Sequence, residues 1–166
     1  YLVDEFSSFA RLPEPRLNTE NIYSILKNIV SDYRENYKHI LFDEIYDKNN
    51  FNIRIDKSQI SRAFQNIIIN SIHSIEEKNN NDGIITVKSQ VEKNYLKIII
   101  EDNGIGLKFE REDLIKPYFT TKKKKGGTGL GLAIVEKILF DHNAEFSLEN
   151  RNDKKIGAQA IIKFEN

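Results

Sequence analysis

The period of the hydrophobic pattern changes repeatedly along these 166 residues, and no other feature limits the possible fold as strongly. Ile22, Ile25, Leu26, Ile29, Val30 and Tyr33 recur at helical spacing behind Asn18 or Thr19 as a cap, which predicts a helix to about Tyr37. Ile40 to Tyr46 and Phe51 to Ile55 then alternate apolar with polar residues around the turn-forming Asp47-Lys48-Asn49-Asn50, as a pair of strands does. Asp56 and Gln59 have the spacing of a capping pair. They open a helix through about Glu77 with Ile60, Phe64, Ile67, Ile68 and Ile75 as its core face, ended by Asn79 to Gly83. Ile84 to Val91 and Tyr95 to Glu101 flank Glu92-Lys93-Asn94 as a second strand pair. Gly131 to Asp141 reads as a helix, and Phe146 to Glu149 and Gln159 to Phe164 as closing strands around Asn150 to Lys155. Strict βαβ alternation is missing, so the expected fold class is α+β, a two-layer α/β sandwich.

A chain of this length, 39% hydrophobic and 30% charged, can bury one core and is short for two. Lys+Arg and Asp+Glu both number 25, so no net charge draws it toward nucleic acid or an anionic membrane, and any bound anion must be captured locally. The absence of cysteine rules out a disulfide framework and a thiolate metal site. No apolar run approaches the roughly 18 residues of a membrane span, so the segment is expected to be soluble. With no methionine either, it is expected to have been cut from something longer. Leu2, Val3, Phe6, Phe9 and Ala10 look like the end of a helix that Pro13 and Pro15 stop.

Four stretches carry the chemistry. Asn66, Asn70, His73 and Glu77 fall within roughly a 60° arc at about 100° per residue, opposite the apolar face of their helix. The plain reading is a solvated face; the functional one makes the Asn70 amide oxygen a hard ligand for Mg²⁺, an ion that takes its remaining ligands from water and substrate phosphates. Asp102-Asn103-Gly104-Ile105-Gly106 follows a strand, where glycines let a planar ring approach the backbone and Asp102 can accept from an exocyclic amine; its plain reading is a turn. Gly127-Thr128-Gly129-Leu130-Gly131-Leu132 enters a helix, whose first N–H groups converge on an anion such as phosphate. Neither glycine cluster fits the dinucleotide fingerprint, since Leu107 and Leu132 occupy the third glycine position, and there is no Walker-type loop. Pro117-Tyr118-Phe119-Thr120-Thr121 and the lysines from Lys122 to Lys125 lie between the clusters, as a basic lid over a triphosphate or a plain surface loop would.

Taken in order, Asn66-x-x-x-Asn70, Asp102-x-Gly104-x-Gly106, Pro117-x-Phe119-Thr120-Thr121-Lys122 and Gly127-x-Gly129-x-Gly131 resemble the N, G1, F and G2 boxes of sensor histidine kinases. Val3 to Arg11 through Pro15 is similar to the end of the dimerisation helix in nitrogen-regulation-type sensor kinases. The resemblance implies the Bergerat-type ATP-binding fold, with residues 1–15 as the end of that helix and its linker and 16–166 as the catalytic domain. It implies ATP and Mg²⁺ as cofactors, with Asn70 on the metal, Asp102 on the adenine amine and Gly104 and Gly106 admitting the ring. It also implies Gly127 to Leu132 on the phosphates and Phe119 anchoring the lid, with Asn66, Thr120, Thr121 and Lys122 beside the nucleotide. His73 stands where relatives often place a phosphate-contacting cation. As a neutral-to-cationic group near neutral pH it would be a weaker partner than lysine.

The implied reaction transfers the γ-phosphate of ATP to a histidine on a phosphoacceptor and dimerisation domain of the same parent, with a response regulator receiver domain downstream. Catalytic duties would then fall on Asn66, His73 and Lys122, within a homodimeric parent. The segment would sit in the cytoplasm, below an inner-membrane anchor if the parent has one. None of the three histidines looks like the acceptor: His142 replaces the start of a His-Gly-Gly stretch and, followed by Asn143-Ala144, reads as structural, and His39 reads as a surface residue. Related ATPases of gyrase and mismatch-repair type carry a water-activating glutamate where this chain has Asn66, and an amide takes up no proton at neutral pH. Hydrolysis by such an ATPase and a nucleotide-binding scaffold without phosphotransfer are the alternatives.

Overall fold

The computed structural model describes residues 12–47, 51–78, 82–119, 129–153 and 155–165. The expected N-terminal helix over residues 1–11 lies outside them. In chain order the elements are β1 (Asn18–Asn21), α1 (Ile22–Asn36), β2 (Ile40–Ile45), β3 (Asn52–Ile55), α2 (Lys57–Lys78), β4 (Gly83–Val91), β5 (Tyr95–Asp102), α3 (Arg111–Leu114), α4 (Gly131–Asp141), β6 (Ala144–Asn150) and β7 (Ala158–Glu165). A five-stranded sheet runs in the order β2-β4-β5-β7-β6, parallel between β2 and β4 and antiparallel elsewhere, and β1 pairs with β3 in a separate ribbon.

One layer is this sheet and the other is α1, α2 and α4, joined by a continuous core that includes Leu26, Phe64, Ile68, Leu96, Ile98, Leu139 and Phe164. The α2 stripe Ile60, Phe64, Ile67, Ile68 and Ile75 is buried as its spacing predicts, with Ile72 added. β5, central in the sheet, is buried from Ile98 to Asp102, so the chain delivers a carboxylate into the interlayer space at its end. That placement governs the site.

Two helix starts differ from expectation. Asn18 and Thr19 do not cap α1: residues 18–21 pair antiparallel with residues 52–55, and Asn21 takes the cap, accepting from Ser24 N–H at 3.0 Å. Asp56 does cap α2, accepting from the N–H groups of Ser58 and Gln59 at 3.0 and 3.1 Å. The Gln59 side chain, however, does not reach back to close a box; it donates to the Pro13 carbonyl at 2.9 Å. The Asp56 N–H instead donates to His142 Nε2 at 3.0 Å, while His142 Nδ1 bonds the Ile138 carbonyl at 2.7 Å. Buried His142 therefore ties the end of α4 to the start of α2, the structural duty expected of it, and Asn143 next to it adopts the left-handed conformation at φ 52°. His39 is exposed.

The second Asp56 oxygen accepts from Arg16 N–H at 2.9 Å. Burial pushes the Asp56 carboxyl up, but the bonds from Arg16, Gln59 and Ser58 outweigh it and hold the group below its ordinary value. A depressed carboxyl stabilises the fold above its unfolded value, and that contribution is withdrawn as pH falls through the lower folded value. Asp56→Ala is expected to cost about 1 kcal/mol at neutral pH, or roughly 2–4 °C in Tm. The gap to wild type should narrow in acid, as thermal unfolding followed by circular dichroism at stepped pH will show.

Candidate functional site

The described residues enclose a cleft of about 240 Å³ between α2, the loop after β5 and the start of α4. Its polar wall is one face of α2, carrying Asn70, Ser71, His73, Ser74 and Glu77. Its apolar wall comes from Ile100, Leu148, Ala158 and Ala160 on the sheet, closed by Leu107, Phe109 and Phe119. A slot with apolar sides and a few polar groups at its ends suits a planar ring with a polar edge.

Asp102 forms the floor and is 3% exposed. Its Oδ1 accepts from Gly104 N–H at 2.8 Å, Ser74 Oγ–H at 3.3 Å and Ala158 N–H at 3.4 Å. Burial raises the Asp102 carboxyl above the usual range, with the bonds from Gly104, Ala158, Ser71 and Ser74 opposing the rise. A buried, hydrogen-bonded carboxylate at the end of a central strand is costly to maintain, so a binding duty is the natural reason for it.

The two glycines after Asp102 serve different ends. A Cβ at Gly104 would stand 2.5 Å from the Ser74 carbonyl carbon and 2.7 Å from Ile75 N, so glycine there lets the loop lie on the α2 backbone. This close approach to the helix is the geometric reason for Gly104, which does not line the cleft and so does not itself meet a ring. Gly106, at φ 74°, does line the cleft. Ile105 N–H donates to Ser74 Oγ at 3.1 Å, and Asn103 bridges to the start of β4, accepting from Ile84 N–H at 2.8 Å and donating to the Asp82 carbonyl at 2.6 Å.

At the other end, Gly129, Gly131 and Leu132 line the cleft, Leu130 is buried behind them, and among the described residues no side chain caps α4. The first N–H groups and the positive end of the helix dipole are thus presented toward the cleft. Tyr118 N–H donates to the Gly129 carbonyl at 3.0 Å, and a Cβ on Gly129, at φ 71°, would meet the Tyr118 carbonyl carbon at 2.7 Å. Phe119 packs edge-on against Phe109, ring centres 5.2 Å apart. The expected site residues Thr120, Thr121, Lys122, Gly127 and Thr128 lie outside the described residues.

Asn66 is not itself part of the cleft lining, but its Oδ1 lies 3.5 Å from where a Cβ on the lining residue Gly131 would stand, so it faces the start of α4. The polar stripe of α2 is therefore not a solvated outer face; Asn66 and Asn70 are half-buried, while His73 and Glu77 at the mouth are exposed. Glu77 pairs with Lys108 across the mouth at 2.8 Å. Sequence reasoning missed Ser74, which borders the asparagine stripe on a helical wheel, and Ser71, which falls within the apolar stripe of α2 and is buried there. It also missed Asn150, which accepts from Leu107 N–H at 2.7 Å.

The layers, the cleft and the helix terminus define an α/β-sandwich domain of the kind found in histidine kinase catalytic domains. The catalytic domain of the histidine kinase ThkA superposes with a TM-score of 0.76 over 90% of this chain and 95% of that one, at 24% identity. ThkA in complex with the response regulator protein TrrA superposes with a TM-score of 0.77 over 99% of this chain and 46% of that one, at 20% identity. The chain belongs to the histidine kinase-, DNA gyrase B- and HSP90-like ATPase family, whose profile matches residues 55–166. Nitrogen regulation protein NtrY of Azorhizobium caulinodans is 37% identical over 166 residues, which is 98% of this chain and 21% of that protein. The chain thus spans about a fifth of that relative's length. Among the described residues no helix is long and apolar enough to cross a membrane.

Proposed function

We propose that this chain binds Mg-ATP in the cleft and is the catalytic part of a protein histidine kinase. The observation that carries the reading is the buried Asp102 carboxylate at the end of β5, directly beneath the Ser71 and Ser74 turn of α2. Asp102 would accept from the adenine amine, Gly106 and the apolar wall would hold the ring, and the start of α4 would face the phosphates. Asn70, half-buried on the α2 wall, offers a neutral hard oxygen of the kind Mg²⁺ accepts beside phosphate oxygens. The ion would supply charge neutralisation at the phosphates. His73 at the mouth and Lys122 on the loop would add positive charge there, and Phe119, Thr120, Thr121, Gly127 and Thr128 would complete the lid.

With Asn66 in place of a carboxylate, α2 has no base to activate water at that position. The chain's own residues would therefore hold and orient the triphosphate while an imidazole nitrogen from a phosphoacceptor domain of the parent attacks the γ-phosphorus. That nitrogen gains the phosphoryl group as the bond to the ADP oxygen breaks, and ADP leaves. A homodimeric parent anchored in the inner membrane, with this part in the cytoplasm, a response regulator receiver domain as the next acceptor and no nucleic-acid partner, completes the reading.

The test mixes this chain with Mg-ATP and a helix pair carrying the acceptor histidine, and measures acid-labile phosphate on the helices. Transfer is expected, with hydrolysis slow in the absence of the helices. ATP binding without transfer would replace this reading with a regulatory nucleotide-binding module. Rapid hydrolysis without transfer would replace it with an ATPase.

A further inference from the structure

The turn between β6 and β7 grips the loop after β5 at both ends. At the far end, Asn150 accepts from Leu107 N–H on Oδ1 at 2.7 Å and returns Nδ2 to the Leu107 carbonyl at 3.4 Å. At the near end, Arg151 Nη1 donates to the Asp102 carbonyl at 3.4 Å. The Arg151 guanidinium is itself held, 2.6 Å from Asp153 and 3.6 Å from Glu101, and its side chain is 11% exposed. Gly157, at φ 141°, closes the turn by accepting from Arg151 N–H at 3.1 Å, and a side chain there would overlap the Asp102 carbonyl oxygen.

Asn150 does not line the cleft, whereas Gly106 and Leu107 do. Its Oδ1 also lies 2.7 Å from where a Cβ on Gly106 would stand, so the amide sits directly behind the cleft-forming glycine. Without that support the Gly106 backbone has access to many conformations, and ordering it would draw on the free energy of binding.

We propose that Asn150 is a positioning residue for nucleotide binding, fixing the Gly106-Leu107 backbone as a preformed wall of the cleft, with Arg151 fixing the opposite end of the same loop. The proposal rests on the nucleotide-site reading above. It predicts that loss of the Asn150 acceptor weakens binding without loss of fold, because Asn150 is exposed at the end of its strand.

The test is isothermal titration of ADP into the wild-type chain, Asn150→Ala and Asn150→Asp, with amide hydrogen exchange read at Leu107. Asn150→Ala should bind ADP about tenfold more weakly, with its far-ultraviolet spectrum unchanged and Leu107 exchanging faster. Asn150→Asp keeps the acceptor for Leu107 N–H and should restore most of the affinity, a rescue that a merely structural role would not produce. Wild-type affinity in Asn150→Ala, or equal losses in both variants, overturns the proposal. Should Asn150→Ala not fold, an unprotected Leu107 amide in the wild type overturns it and a protected one that is further slowed by ADP upholds it. Failure of the wild type itself to bind ADP would instead remove the nucleotide-site reading.

Discussion

Asp102→Asn is expected to weaken ADP and ATP binding about a hundredfold while leaving the protein as stable as the wild type, or more so, near neutral pH. The two effects have one cause. The buried carboxyl is pushed up by burial, so its ionised form costs stability, and that cost is offset only in part by Gly104, Ala158, Ser71 and Ser74. The sign follows from linkage: an acid whose folded value is raised makes the fold less stable as pH rises from the unfolded value through the folded one. An amide keeps an oxygen for those donors and carries no charge, so the acid-side gain in wild-type stability should disappear in the variant. The second oxygen, which would accept from the adenine amine, becomes an NH₂ group facing a donor. Titration calorimetry with ADP and thermal unfolding across the acid range separate the two effects. Unchanged ADP affinity in a folded Asp102→Asn protein would remove Asp102 from the binding site.

The parts of the fold that periodicity reveals are those in which one face alone is buried. The α2 stripe and the β4 strand were readable because each repeats its burial pattern over several residues, whereas β5, buried on both faces from Ile98 onward, was marked by its apolar run Ile98-Ile99-Ile100. β1 was not readable: Asn18-Thr19-Glu20-Asn21 has little intrinsic strand preference, and it is extended because residues 52–55 pair with it. The Asp56 cap itself was readable, but not its reciprocal partner: the Asp56 N–H is satisfied by His142, 86 positions away, instead of by Gln59. In the site, the residues carrying recognisable chemistry stood out as motifs, whereas those holding them did not. Gly104 is a glycine because α2 passes directly behind it, and Asn150 looked like a turn residue because Leu107 is its partner only in the folded chain. The apolar wall of Leu148, Ala158 and Ala160 is contributed by strands whose inward faces look like any other core.

Asn70→Ala should separate metal-dependent from metal-independent binding, which no change at Asp102 can do. Asn70 lies on the polar wall of the cleft and is half-buried, outside the apolar core of α2, so its removal should change stability by no more than about 0.5 kcal/mol. Adenosine, which brings no phosphates for a metal to bridge, should bind the variant as it binds the wild type. ATP with Mg²⁺ should bind at least about tenfold more weakly, since a lost metal ligand costs no less than the loss of a group that merely orients one. In a chelator the two proteins should converge, because the Asn70 oxygen then has no ion to hold. His73, one turn along the same wall, provides the internal contrast: His73→Ala removes no metal ligand and should weaken Mg-ATP less than Asn70→Ala does. Titrations of ATP with and without Mg²⁺ decide the matter. A loss in Asn70→Ala that persists undiminished in chelator would mean that the amide holds the nucleotide directly and the metal is bound elsewhere.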